Sequence, residues 1–90
     1  MLTKYGKQVR DFRIKYGMSL YDLHLILNRS CAYLSGVENG RNQLTEDLVY
    51  DVSKAIGLNA EEEALLVQSG GFSLDEYKGE MKWNLNMVIW

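Results

Sequence analysis

Apolar residues recur every three or four positions through most of this chain, a spacing that is typical of amphipathic α-helices. The first such stretch runs from about Thr3 to Tyr16, and Gly17 supplies a stop signal behind it. Its apolar positions are Tyr5, Val9, Phe12 and Tyr16. The pattern therefore predicts a first helix with one apolar face and one basic face.

Two short helix patterns follow on either side of a three-residue turn. Ser19 precedes Asp22 by three residues, a variant of the capping box that marks the start of the second helix. The apolar stripe of this helix consists of Leu20, Leu23, Ile26 and Leu27. After it, Asn28 tolerates a left-handed turn, and Ser30 is placed to cap a third helix over about 31–39.

The second half of the chain predicts two more helices. A fourth should start at Thr45 and end at Gly57, and a fifth should start after Asn59 and end near 69–71. The acidic residues 61–63 suit the positive end of the fifth helix. The residues expected in the core are Leu48, Val52, Ala55, Ile56, Leu65 and Leu66.

The last twenty residues carry a less regular pattern. Ser73 is placed to cap a short sixth helix that reaches about Lys82. Beyond it, apolar residues alternate as in a strand, whereas Trp83, Met87 and Trp90 also share one helical face. We favour the strand, because the asparagines and the Val-Ile-Trp terminus suit it slightly better.

Composition and length indicate one small helical domain. Ninety residues are too few for an additional effector or catalytic domain of ordinary size, and 47% are hydrophobic, 24% are charged and none is proline. The sequence has no apolar run of about 18 residues, no signal segment and only one cysteine. We therefore expect a cytoplasmic protein that does not engage a membrane.

Charge is distributed unevenly along the chain. The formal net charge is −2, yet residues 1–44 hold seven basic and three acidic side chains, which gives +4. Residues 45–90 hold three basic and nine acidic side chains, which gives −6. The basic half contains the two short helices and is suited to release counterions from nucleic-acid phosphates, whereas the acidic half would repel them.

The stretch from Ser19 to Arg41 resembles the helix-turn-helix of the phage repressor and Cro-like family, also called Xre-like regulators. Leu34 and Val37 stand where that family has aliphatic residues, whereas His24 and Asn28 replace its small residue and its glycine. Further matches are Arg13 and Gly17 in an Arg-x-x-x-Gly phrase, and Leu34, Ser35, Glu38 and Gly40 in a Leu-Ser-x-x-Glu-x-Gly phrase. In all, the resemblance covers about residues 4–67.

The resemblance implies an all-α fold in which a five-helix DNA-binding domain spans residues 1–69 and a short extension follows over 70–90. The third helix of such a domain enters the major groove. Its candidate base contacts are Cys31, Ala32, Tyr33, Ser35 and Gly36. Candidate phosphate contacts are Arg29, Asn39, Arg41, Asn42 and Gln43. No base-contact candidate is an Arg or Gln, so part of the specificity would come from DNA shape.

Several residues have structural interpretations. The resemblance implies that Arg13 and Glu38 form a partly buried ion pair between the first and third helices. His24 is interpreted as a packed helix residue, because no cluster of metal ligands accompanies it. Tyr33 is suited either to contact DNA or to cover the edge of the core, and Cys31 either to contact DNA or to act in redox sensing.

These features predict the function and the partners. The sequence has no phosphate-binding glycine loop, no paired zinc-ligand motif and no supported nucleophile, so we expect neither an enzyme nor a cofactor or metal. We expect a transcriptional regulator, most simply a repressor, that binds an inverted-repeat operator in double-stranded DNA as a homodimer. The alternative is an antitoxin or anti-regulator that captures a protein partner, a toxin or another regulator, with DNA binding secondary.

The apolar tail is the expected dimer contact, because so much apolar surface should not face water. Its candidate interface residues are Trp83, Leu85, Met87, Ile89 and Trp90. Strand pairing across a two-fold axis would bury them. The rival interpretation is that the tail folds back over the first and fifth helices of its own chain.

Overall fold

The computed structural model of the chain describes residues 1–77, and these form five α-helices and no strand. The helices are α1 (Lys4–Lys15), α2 (Leu20–Leu27), α3 (Cys31–Glu38), α4 (Glu46–Ile56) and α5 (Ala60–Ser69). The prediction of an all-α fold with five helices is confirmed for this part of the chain.

Each helix begins at a side chain that caps it. The caps are Thr3, Ser19, Ser30, Thr45 and Asn59, and each accepts a hydrogen bond from a backbone N–H in the first turn. Ser19 and Asn59 belong to full capping boxes, because Asp22 and Glu62 accept a bond from the N–H of the capping residue in return. These local bonds fix the helix starts where the sequence predicts them.

The core lies where the apolar faces of the helices meet. α1 packs against α3 and α5, α2 packs against α3 and α4, and α4 also packs against α5. The large aliphatic side chains at the centre are Val9, Leu23, Leu48, Val49, Leu66 and Val67. Burial of one such side chain contributes about 1.5–3 kcal/mol to the stability of the fold. Because α2 and α3 both pack into this core, it holds them in a fixed arrangement.

Local hydrogen bonds close the turn between α2 and α3. Asn28 adopts the left-handed conformation predicted for it, with φ of 56°. Nδ1 of the half-buried His24 lies 2.9 Å from the carbonyl oxygen of Arg29. A carbonyl oxygen only accepts, so this ring nitrogen carries the hydrogen and donates it. His24 thus links α2 to the turn at a position where the resembled family has a small residue.

α5 differs from the prediction at one residue. Leu66 is buried, but Leu65 is 51% exposed, so the expectation that both leucines lie in the core is wrong for Leu65. Glu62 and Glu63 occupy buried positions instead. The buried positions 62, 63, 66 and 67 follow one stripe at helical spacing, and position 65 lies outside that stripe. Hydrogen-bonded partners of the two glutamates stabilise this orientation of the helix.

The core continues beyond α5. Phe72 and Leu74 pack against it, and Tyr77 is buried in it. The backbone N–H groups of Glu76 and Tyr77 both donate to the carbonyl oxygen of Ser73, which closes one turn. This turn is no more than the start of the expected sixth helix, which therefore stays a prediction. Its remainder to Lys82, and the strand and dimer contact expected in the tail, lie outside the described residues.

Candidate nucleic-acid interface

α3 presents one face to the core and another to solvent. Leu34 and Val37 are buried, whereas Ala32 is exposed. The half-buried Tyr33 packs against the core, as its structural interpretation requires. The base-contact candidates that keep accessible surface are Cys31, Ala32, Tyr33 and Ser35. The outward face of α3 therefore consists of small side chains and the accessible part of Tyr33.

Gly36 does not belong to that outward face. It is buried, and a Cβ atom added to it would overlap the side-chain amide of Asn42. The expectation that Gly36 contacts bases is therefore corrected: the glycine admits Asn42, whose Nδ2 donates to the carbonyl oxygen of Tyr33 over 3.3 Å. The Asn42 side chain therefore binds the loop to α3, and it is also a candidate phosphate contact.

The loop after α3 is tied to the end of that helix. The backbone N–H groups of Arg41 and Asn42 donate to the carbonyl oxygen of Gly36 over 2.7 and 3.1 Å. Nδ2 of Asn39 donates to the carbonyl oxygen of Ser35 over 2.9 Å, so this side chain is engaged within the protein. The Arg41 and Gln43 side chains are exposed. The backbone of Arg41 is therefore anchored to the end of α3, and its side chain is accessible to solvent.

Arg29, at the other end of α3, has a partner on α4. Its Nη2 lies 3.2 Å from Oδ2 of Asp51, and the two side chains are 34% and 39% exposed. Arg29 is a predicted phosphate contact, but its pairing with Asp51 is not predictable from the sequence. The two residues are 22 positions apart and meet only through the packing of α2 on α4. The charge of this arginine is compensated in the free protein.

Arg13 and Glu38 face each other between α1 and α3. Nη2 of Arg13 lies 3.3 Å from Oε1 of Glu38, and the two side chains are only 14% and 8% exposed. Burial raises the pKa of Glu38 despite the opposing influence of Arg13. Nε of Arg13 has no hydrogen-bond partner among the described residues. The pair thus joins α3 to α1, as the resemblance implies.

α1 also approaches the end of α3 through its backbone. The N–H of Thr3 donates to the carbonyl oxygen of Glu38 over 3.0 Å. A Cβ atom on Gly6 would overlap that same carbonyl group, so glycine is required where the two helices meet. These contacts, together with the ion pair, fix the angle at which α3 stands on α1.

A second ionic cluster, which the sequence analysis missed, joins α1 to α5. Nζ of Lys15 lies 2.7 Å from Oε2 of Glu62, and the Tyr16 hydroxyl donates to the same carboxylate over 2.7 and 2.8 Å. Together with the N–H of Asn59, these donors lower the pKa of Glu62 to about 2. The acidic run 61–63 predicted a helix start, but the identity of its partners depends on long-range packing.

The outer face of α2 is unusually apolar. Tyr21, Leu25 and Ile26 are between 57% and 60% exposed. Ile26 also borders a shallow groove between α2 and α4 that Tyr50 and Ala55 help to line. The spacing of Tyr21 and Leu25, four residues apart and off the predicted core stripe, is a sequence signal for this face.

Within residues 1–77 no group of three or more His, Cys, Asp or Glu side chains is placed to hold a metal ion, and no helix is long and apolar enough to cross a membrane. Comparison with known protein families, with curated proteins and with solved structures found no match to this chain.

Proposed function

We propose that this protein is a Xre-like helix-turn-helix regulator that binds double-stranded DNA through α3. The observation that carries the proposal is the α2–turn–α3 unit, which is closed at Asn28 and His24 and packed on a five-helix core. It leaves Ala32 exposed on α3 and Arg41 exposed behind it. A short helix held in this way is the element that such regulators insert into the major groove.

The accessible side chains of α3 suit apolar and shape-dependent recognition. Ala32 and Cys31 are suited to contact thymine methyl groups, and Tyr33 and Ser35 carry hydroxyls that can reach base edges or phosphates. Phosphate contacts from Arg41, Gln43 and backbone N–H groups would set the register without reading sequence. Specificity then depends on the deformability of the operator as well as on its base edges.

A repressor that binds an inverted repeat as a homodimer follows from the same proposal. One helix with small side chains discriminates only weakly between DNA sequences. A dimer that binds two half-sites about 34 Å apart reads the sequence twice, so its discrimination is much stronger. The expected dimer contact lies in the tail, outside the described residues.

The test introduces a charge on each of two exposed alanines. The parent protein selects preferred duplexes from a random pool, and binding is then measured for Ala32→Asp on α3 and Ala60→Asp at the start of α5. A carboxylate at position 32 would enter the negatively charged major groove and abolish binding, whereas Ala60→Asp should bind like the parent. Equal binding by both folded variants would contradict insertion of α3 into DNA.

A second candidate function is favoured by the apolar face of α2. Exposed Tyr21, Leu25 and Ile26 suit capture of a protein partner, as an antitoxin or anti-regulator requires. The matched variants are Leu25→Glu on α2 and Leu65→Glu on α5, since both leucines are exposed. A stoichiometric complex with a purified partner that is lost with Leu25→Glu and kept with Leu65→Glu would support this function. Loss in neither variant would contradict it.

A further inference from the structure

We propose that Asp51 on α4 restrains Arg29 in the free protein, and that DNA must displace this carboxylate before the guanidinium can bind a phosphate. The inference rests on the proposed function and assigns to Asp51 an autoinhibitory contact within the same interface. Its basis is the approach of Nη2 of Arg29 to Oδ2 of Asp51, at 3.2 Å.

Both ends of this contact start from fixed backbone. The carbonyl group of Arg29 accepts the bond from His24, directly after the left-handed Asn28. Asp51 is followed on α4 by Val52 and Ser53, which are both buried. The encounter of the two side chains is therefore set by the packing of α2 on α4.

The geometry of the contact allows Arg29 to exchange its partner. One guanidinium N–H group meets one carboxylate oxygen, rather than the two parallel bonds of a bidentate pair. The two side chains are 34% and 39% exposed, and ion pairs of such exposure are worth little in water. A DNA phosphate offers the guanidinium the same kind of acceptor, and counterion release favours the exchange at low salt.

Asp51 has two effects on DNA while the contact persists. It cancels the charge of Arg29, so this end of α3 contributes little to the attractive field. It also places a carboxylate beside the site where a phosphate would bind, and like charges repel. Removal of the carboxylate should therefore strengthen DNA binding, provided that Arg29 is present.

The experiment is a double-mutant cycle on DNA affinity at low salt. Asp51→Asn keeps the size of the side chain and removes its charge, and Arg29→Met removes the partner. The charge control is Asp47→Asn, an exposed residue one helical turn earlier on α4. Circular dichroism and thermal unfolding establish that each variant is folded.

We expect Asp51→Asn to raise affinity about threefold to fivefold, the size of an exposed ion pair. The same change in the Arg29→Met background, and Asp47→Asn alone, should each alter affinity much less. If the parent binds DNA and Asp51→Asn leaves affinity unchanged, weakens it, or acts equally without Arg29, the inference is overturned and the proposed function stands. If neither the parent nor any variant binds DNA, both are overturned.

Discussion

The Tyr77 hydroxyl donates a hydrogen bond to Oε2 of Glu63 over 2.5 Å, and both residues are buried. This contact joins the segment after α5 to α5 itself, across 14 positions of sequence. Burial, followed by the bond to Glu63 and its charge, raises the pKa of Tyr77 above its ordinary value. The described end of the chain is thus held to the helical core by one specific polar contact.

Tyr77→Phe should lower the free energy of unfolding by about 1–3 kcal/mol, because it leaves a buried carboxylate without this donor. Chemical denaturation at neutral pH measures the loss. Tyr21→Phe is the matched control, since Tyr21 is 59% exposed, and it should unfold like the parent. A Tyr77→Phe variant as stable as this control would contradict the structural role of the bond.

The same phenol makes stability depend on alkaline pH. Its pKa is raised on folding, so its contribution is fully present below the unfolded value near 10 and is lost as pH rises beyond it. The pKa values of Tyr5 and Tyr16 are also raised. Tyr77→Phe should therefore reduce, without abolishing, the loss of stability that the parent shows above about pH 10.

Glu62 should make stability depend on acidic pH. Its pKa falls from an ordinary 4.5 to about 2 on folding, mainly through Lys15 and Tyr16. A depressed pKa contributes stability that is present above the unfolded value and is lost as pH falls through that interval. Unfolding curves between pH 5 and pH 2, at about half-unit steps, should be less pH-dependent for Glu62→Gln than for the parent. Parallel curves would contradict the assignment.

Glu38→Ala should destabilise the fold by about 3 kcal/mol, because it leaves the guanidinium of Arg13 buried without its partner. The double change Arg13→Met with Glu38→Leu should recover most of that loss, since it removes both charges and fills the space with apolar atoms. Denaturation of both variants and of the exposed control Glu61→Ala gives the comparison. If Glu38→Ala is as stable as Glu61→Ala, the ion pair does not contribute to the stability of the fold.

The sequence predicts the helix boundaries closely because local bonds determine them. Ser19 with Asp22, and Asn28 in the left-handed region, act within one turn of the chain, so their residue types suffice to place α2. The Arg13–Glu38 contact was anticipated only through the resemblance, because 25 positions separate the two residues. The local sequence pattern contains no information about contacts between residues so far apart.

The errors concern positions whose orientation depends on distant partners. Leu65 was assigned to the core because leucine is apolar. The orientation of α5 is instead stabilised by Lys15, which binds Glu62, and by Tyr77, which binds Glu63. Gly36 was assigned to DNA because of its place on α3, yet Asn42 folds back over it. The contact between Arg29 and Asp51 required knowledge of how α4 packs, which no local pattern contains.

The tail prediction is tested by truncation after Lys82. Removal of residues 83–90 takes away the apolar side chains expected at the dimer contact. Light scattering should then report a folded monomer, and operator affinity should fall because the two half-sites no longer act together. A truncated protein that remains dimeric and binds normally would contradict the dimer role of the tail.

The salt dependence of DNA affinity, measured for the parent and for Arg41→Ala, tests most directly whether this protein binds DNA through phosphate contacts next to α3. Arg41 is exposed behind α3, where a phosphate contact would release one counterion. Lys7→Ala is the control of equal charge, on the exposed side of α1. The proposal predicts steeply salt-dependent binding by the parent. In Arg41→Ala the slope should be smaller by about one unit, with specific and non-specific binding weakened together. In Lys7→Ala the slope should be nearly unchanged. DNA binding that does not depend on salt concentration, or the same slope in all three proteins, would contradict the proposal.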